Sequence, residues 1–267
     1  MPTSPPIRNG PIFGREELIP MPSHNDLPNG HVAAFQDNSY HGEDAYVIRE
    51  LQRHITLDAV FDGATGRGGA DASGYAAKVL QETSVETVDG LTSLLDVTNQ
   101  RLFQRGRGRF FLTTASVALK IGSTLHVVNV GDSPVFLIRG HDILPLTGTA
   151  KGATFLGIAN ALGRHETFAY KATSISLEAQ DRLVLASDGL IENVAPTELV
   201  AIVDAAPSPE QAVSSLRQLL CEKKRLNKGR IDDSTGFRRD DATAIIRYIG
   251  LGPAQETSGP LEPSRSN

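Results

Sequence analysis

Two stretches of the chain end an apolar run in the same pair of residues. ITLDAVFDGA over 55–64 and DRLVLASDGL over 181–190 finish on Asp62-Gly63 and Asp188-Gly189. A third apolar run, ATAIIRYI, follows directly on Asp240-Asp241. A carboxylate fixed at a strand end, followed by a glycine that admits close backbone approach, is a good seat for a hard cation. One such dipeptide reads more simply as a turn, because Asp-Gly is among the commonest turn pairs. Repetition raises the metal reading, since three apolar strands each place an acid at one end. Glu43-Asp44, leading into AYVIREL, is a further acidic pair that by itself reads as a solvated strand edge.

The elements that must hold these acids are legible from periodicity. Ile55, Leu57, Ala59 and Phe61 alternate on one face of a strand and Val60 lies on the other. After Asp62 the glycine-rich ATGRGG runs into a helix, where Ala72, Tyr75, Ala76, Val79 and Leu80 make one buried face. A second helix carries Val88, Leu91, Leu95 and Leu102. Residues 110–147 read as a continuous meander of antiparallel hairpins, with turns at Gly122-Ser123, Asp132-Ser133-Pro134 and Gly140-His141-Asp142. ETFAYKATSIS and DRLVLASDG read as further strands. Pro196 opens a helix, and Ser208-Pro209-Glu210-Gln211 opens another as a capping box. Strands apolar on both faces must be covered on both sides, which predicts an α+β fold, a layered sandwich of sheets and helices. The glycine-rich turn also suggests a nucleotide phosphate loop, but Gly-Lys-Ser/Thr, G-x-G-x-x-G spacing and regular strand-helix alternation are all missing.

Composition bounds the rest. With 267 residues and 40% hydrophobic content the chain can fill a proper core. Its 26 Lys+Arg against 31 Asp+Glu give a net charge of −5, which offers no footprint for nucleic acid or an anionic membrane. The one cysteine, Cys221, excludes an internal disulfide, fits a reducing, cytoplasmic compartment, and reads as a buried small apolar residue among Leu216, Leu219 and Leu220. Seven of the fifteen prolines precede Gly30, so residues 1–30 read as a poorly ordered arm, 31–250 as the folded domain and 251–267 as a second tail. Asp58 and Asp181 flank strands without a following glycine and read as edge or turn residues; Asp232-Asp233 reads as a solvated turn.

Taken in order, Glu43-Asp44, VFDG, TTA at 113–115, VNVGDSPVFLIR, ANALG, LASDGLIE and RDDATAII resemble the signature series of the metal-dependent Ser/Thr protein phosphatases of type 2C. The resemblance runs from about residue 31 to 249 and implies a four-layer α-β-β-α sandwich of two antiparallel sheets, with two Mn²⁺ or Mg²⁺ ions where the sheets meet. It implies that Asp62 bridges both ions with the Gly63 carbonyl on one, that Asp188 and Asp240 complete the ligands of the other, and that Glu43 and Asp44 orient metal-bound waters, mostly without touching the ions. Asp132 and Glu192 match the positions that hold a third, weaker ion. Asp62, Asp188 and Asp240 are thereby the implied catalytic acids. Thr113 and Thr114 match too, although β-branched residues packing in a strand explain them as well.

The implied reaction is hydrolysis of phosphoserine or phosphothreonine in a phosphoprotein by direct attack of a metal-bridging hydroxide. Departures are informative. Ser39 stands where many members carry a phosphate-gripping arginine, with His41, Arg49, Arg67 and Arg239 as candidate substitutes. Ala64 stands where eukaryotic members often carry a histidine. The segment from Leu146 to Asn160 lacks the usual Asp-His-Ser and predicts a small or missing flap. The alternative function is a catalytically weak, phosphatase-fold regulatory or binding module.

Overall fold

The computed structural model describes residues 27–147, 160–227 and 237–250. The residues of the proline-rich arm before Leu27, the tail from 251, Asp232-Asp233 and most of the expected flap segment lie outside them. Among the described residues the strands form two five-stranded antiparallel sheets. Sheet A is ordered β1 (His31–Asp37), β10 (Ala242–Tyr248), β9 (Arg182–Ala186), β6 (Val135–Arg139), β7 (Asp142–Pro145). Sheet B is ordered β2 (Asp44–Gln52), β3 (Ile55–Asp62), β4 (Ala115–Ile121), β5 (Thr124–Val130), β8 (Lys171–Ser176).

Three apolar clusters make the layers. Leu57, Ala59 and Phe61 of β3 pack with Ala76 and Leu80 of α1 (Gly69–Glu82) and Leu91 and Leu95 of α2 (Val88–Gly106). Phe136, Val184 and Ile246 of sheet A pack with Leu199 and Val203 of α4 (Pro196–Ala205) and with Leu216 and Leu220 of α5 (Pro209–Leu226). Between the sheets lie Val60, Ala118, Val127, Leu137, Leu185 and Ile245. The architecture is the α-β-β-α sandwich, and the period-2 alternation of β3 explains it: its odd residues face helices and Val60 faces the other sheet.

Helix starts follow their caps. Ser208 Oγ accepts the Gln211 N–H with Pro209 at the first helical position, and Glu198 accepts the Ala195 N–H at the start of α4. A four-residue helix, α3 (Asp188–Ile191), follows β9 at once.

Several sequence expectations need correction. Residues 110–147 are not one meander: β5 pairs in sheet B and β6 in sheet A, so Gly131-Asp132-Ser133 carries the chain from one sheet to the other. Strand β4 begins only at Ala115, after a loop in which Phe111 takes a positive φ of 55°, and β8 begins only at Lys171. Asp58 is neither an edge nor a turn residue, while Asp181 does close a turn from Glu178 but is buried there and paired. Asp58, 1% exposed, makes a two-pronged ion pair with the fully buried Arg247 between the sheets, at 2.6 and 2.8 Å. Asp181 accepts from Arg139 at 2.8 and 2.7 Å and from the Glu178 N–H. Cys221 is exposed, on the outer side of α5. Leu27–Gly30 already belongs to the packed structure: Leu27 joins the inter-sheet core, its carbonyl accepts from buried Lys120, and the Asn29 carbonyl accepts from Arg247.

Candidate metal centre

The carboxylates meet at one end of the sandwich. Strands β2 and β3 pair in a register that sets Asp44 directly opposite Asp62. Like charges across a strand pair repel, so this register makes sense only if something cationic or a proton offsets it. Sheet A supplies Asp188 at the end of β9 and Asp240 just before β10.

Both glycines of the repeated Asp-Gly pairs are required, for one steric reason. A Cβ on Gly63 would lie 2.4 Å from the Gly69 carbonyl carbon and 2.6 Å from the Glu43 carbonyl oxygen. A Cβ on Gly189 would lie 2.1 Å from the Asp241 carbonyl oxygen and 3.1 Å from the Asp240 Cβ. Each glycine thus lets a second acid-bearing segment pack against the first: Gly63 brings Glu43 to Asp62, and Gly189 brings Asp240 to Asp188.

The surrounding hydrogen bonds hold the acids in place. Thr114 Oγ1 accepts the Asp62 N–H at 3.0 Å, and Thr113 Oγ1 donates to the Asp62 carbonyl at 3.0 Å. The matched threonines therefore clamp the Asp62 backbone from both sides. Asp44, 6% exposed, accepts from Thr243 Oγ1 at 2.7 Å, while Ser187 Oγ accepts the Thr243 N–H. Buried Asp241 is not directed at the cluster. It accepts the N–H groups of Tyr40, His41 and Glu43 at 3.0, 3.0 and 2.8 Å and so fixes the loop that delivers Glu43-Asp44. Sequence reasoning did not find this role, which leaves Asp240 rather than Asp241 beside Asp188.

Proximity shows in the acid strengths. Burial first, then Asp188 and Asp44, push Asp62 well above the usual carboxylate range. Burial, with Asp241 and Asp188, pushes Asp44 up to about 7 against the hydroxyls of Thr243 and Ser187. Burial, with Asp240, Asp132 and Glu192, pushes Asp188 up to about 6. The structure thus brings Asp44, Asp62, Asp188 and Asp240 together, with Asp132 and Glu192 in electrostatic reach of Asp188. Glu192 is also paired with Arg238 at 2.7 Å on the exposed side.

Among the described residues no three His, Cys, Asp or Glu side chains already converge as a closed ligand set. The fit to divalent cations is carried by donor chemistry: all donors are oxygens, several are mutually repelling carboxylates, and Glu43 Oε2 is buried with no hydrogen-bond partner. A hard dication satisfies all three conditions.

The candidate phosphate contacts divide. Arg49 donates to the Leu80 and Thr83 carbonyls at the end of α1 and is structural. His41 is exposed on the loop held by Asp241, and Arg67 is exposed on the turn after Gly63. Ser39, in the expected arginine position, bonds through its hydroxyl to Lys224 of α5, whose ammonium also meets Asp37 at 3.1 Å and lies 4.2 Å from the Tyr40 ring centre.

The family model described as Stage II sporulation protein E (SpoIIE) matches residues 65–246, most of the chain, starting just after Asp62-Gly63. The chain belongs to this family. It is a phosphatase-fold family of type 2C character: curated relatives of this SpoIIE-family chain carry the names protein phosphatase 2C and protein phosphatase 1E. Probable protein phosphatase 2C 59 of Arabidopsis thaliana is 25% identical over 201 residues, 61% of this chain and 64% of its own, so the chain spans just under two thirds of that relative. Among solved structures, the serine/threonine phosphatase Stp1 from Staphylococcus aureus is similar with a TM-score of 0.70 at 21% identity, covering 86% of this chain and 99% of that one. The catalytic domain of serine threonine protein phosphatase PstP, in complex with two manganese ions, is similar with a TM-score of 0.65 at 21% identity, covering 82% and 97%. These structural likenesses establish the α-β-β-α fold. No described helix is long and apolar enough to cross a membrane.

The raised acid strengths predict an unusual pH dependence for metal-stripped protein. Between the unfolded carboxylate pKa of about 3.9 and the folded values near 6 and 7, the native state holds protons that the unfolded chain has released. Stability therefore falls as pH rises across this window, by an amount on the order of a few kcal/mol. Thermal melts of chelator-treated protein at pH 5.0 and 7.5 are expected to show the lower midpoint at 7.5, recovered by Mn²⁺. A midpoint that rises with pH over this range would contradict the crowding argument. The lowered acids Asp37, Glu198 and Glu210 act in the opposite sense, at lower pH.

Proposed function

We propose that this chain is a metal-dependent phosphoprotein phosphatase that hydrolyses phosphoserine or phosphothreonine. The observation that carries the reading is the meeting of Asp44, Asp62, Asp188 and Asp240 at one end of the sandwich, on a fold shared with solved Ser/Thr phosphatases. Asp62, Asp188 and Asp240, with the Gly63 carbonyl, would hold two Mn²⁺ or Mg²⁺ ions. Glu43 and Asp44 would orient water beside them, and Asp132 with Glu192 would hold a third. When bound, such ions activate water and neutralise charge on the phosphoryl oxygens.

The protein's own contribution is rigidity. Thr113 and Thr114 fix the Asp62 backbone, Thr243 fixes the Asp44 carboxylate, and Asp241 fixes the loop carrying Glu43, so the acids keep their spacing despite their repulsion. No covalent nucleophile is needed, in keeping with a lone exposed Cys221 remote in sequence from every acid of the cluster.

One observation favours the alternative, a binding or regulatory module. Ser39 stands where phosphate would be gripped, and the adjacent Lys224 is already committed to Asp37, Ser39 and Tyr40. Hydrolysis of para-nitrophenyl phosphate with Mn²⁺ separates the two. The expected result is turnover that chelation abolishes. Stoichiometric Mn²⁺ binding without turnover would sink the enzyme reading and favour the module.

A further inference from the structure

Beyond the acids, the most unusual feature is a concentration of arginine beside them in a chain of net charge −5. At the end of α2 the chain runs Arg105-Gly106-Arg107-Gly108-Arg109-Phe110-Phe111. This loop packs backbone to backbone with two others. The Arg67 carbonyl accepts the Phe111 N–H, and Arg67 Nη1 donates to the Arg109 carbonyl at 3.2 Å. On the other side Arg164 Nη1 donates to the Gly108 carbonyl at 2.8 Å. Gly108, at a φ of 70°, would carry a Cβ 2.5 Å from the Arg164 carbonyl oxygen, so the contact admits no side chain there.

The result is a built surface. Arg67, Arg107 and Arg109 are exposed, Arg164 is half-buried, and among the described residues no carboxylate pairs with any of the four. Arg105 stacks over the Phe111 ring at 4.0 Å and faces Asp71 at 3.8 Å. Phe110 stands 52% exposed among them.

The surface is continuous with the acid cluster. One residue past Phe111, the Leu112 carbonyl accepts the Ala64 N–H at 2.9 Å, and the next residue, Thr113, clamps Asp62. Arg67 is four residues from Gly63, hence within about 15 Å of it along the chain.

We propose that this arginine loop is a docking surface for an acidic segment of the substrate protein, one rich in Asp and Glu on one side of the phosphorylated residue. The proposal rests on the phosphatase reading and deepens it by naming the substrate class. Neighbouring guanidinium groups without carboxylates repel one another, and their planar forks match carboxylates two-pronged. An exposed aromatic set among arginines is the composition of an interface anchor. A nucleic acid fits less well, because its continuous phosphates would have to run onto the carboxylates a few residues away.

The test uses the full chain, a fluorescein-labelled unphosphorylated dodecapeptide rich in Asp and Glu, a Gly/Ser/Gln peptide of equal length and a single-stranded oligonucleotide of equal charge. Anisotropy at low salt is expected to give at least about tenfold tighter binding of the acidic peptide than of the neutral one. The double variant Arg107→Glu/Arg109→Glu is expected to erase that preference, while Arg107→Lys/Arg109→Lys retains it. With phosphorylated versions, the Glu variant is expected to raise KM for the acidic peptide about tenfold and leave para-nitrophenyl phosphate hydrolysis unchanged. Equal peptide binding by wild type and the Glu variant, or tighter binding of the oligonucleotide than of the acidic peptide, overturns the proposal. Peptide preference without hydrolysis of any phosphate ester supports the surface and overturns the phosphatase reading alone.

Discussion

Replacing Asp62 by asparagine is expected to lower kcat for phosphate-ester hydrolysis by about 10³-fold or more, on the order of 4 kcal/mol of transition-state stabilisation, and at the same time to raise the thermal midpoint of the metal-stripped protein at pH 7.5. The two effects have one origin. Asp62 stands opposite Asp44 in the β2–β3 register, lies in electrostatic reach of Asp188, and is held at its backbone by Thr113 and Thr114. Asparagine keeps this shape and these clamps but removes the ionisable group at the centre of the cluster. The site loses a carboxylate that would hold the cations, and the metal-stripped fold no longer bears the cost of a buried acid pushed up by burial, Asp188 and Asp44. A steady-state assay with Mn²⁺ and a melt with chelator read the two arms. Activity within tenfold of wild type would mean that Asp62 does not hold the reacting centre. Lower stability without metal would mean that the acids are not in mutual repulsion.

Asp58→Ala is expected to cost about 3–5 kcal/mol of folding stability, the largest single effect outside the metal centre. Arg247 is fully buried between the sheets, and Asp58 supplies both prongs of its carboxylate pair; the Asn29 carbonyl at 3.0 Å is its other hydrogen-bond partner. Truncating Asp58 leaves a guanidinium in an apolar layer beside Val60, Ile245 and Ile249 with its charge uncompensated. The double change Asp58→Met/Arg247→Met removes both charges and is expected to recover most of the loss, because the pair itself offsets its desolvation only approximately. Urea unfolding of Asp58→Met, Arg247→Met and the double variant closes the cycle. Additive losses in the double variant would show that the site matters for shape rather than charge.

Most of what periodicity could reach was readable. Helices α1, α2, α4 and α5 fall where the apolar spacing and caps put them, and β2, β3, β5, β6, β9 and β10 lie within the apolar runs. The pairing of Asp58 with Arg247 was not read, although a signal existed: Arg247 lies in ATAIIRYI, a strand apolar on both faces, where a charge has to be partnered. The partner sits 189 residues away, and nothing local names it. Cys221 failed for a related reason. Its leucine neighbours in sequence line the core face of α5, while the cysteine itself falls on the outer arc of the same turn.

By itself the sequence determined the helices, the central residues of most strands and the acids, because alternation, helical spacing and caps are local properties of a chain. It also determined that two glycines follow two acids. Only the tertiary structure decided what those glycines are for: Gly63 and Gly189 each admit the backbone of a second acid-bearing segment, Glu43 and Asp240-Asp241, from a distant part of the chain. Likewise, period-2 alternation cannot say which sheet a strand joins, so the passage from β5 in one sheet to β6 in the other at Asp132 became visible only with pairing. The task of Asp241, three N–H bonds to a loop 198 to 201 residues away, was settled at the same level, since a carboxylate's role is set by whatever long-range contact reaches it.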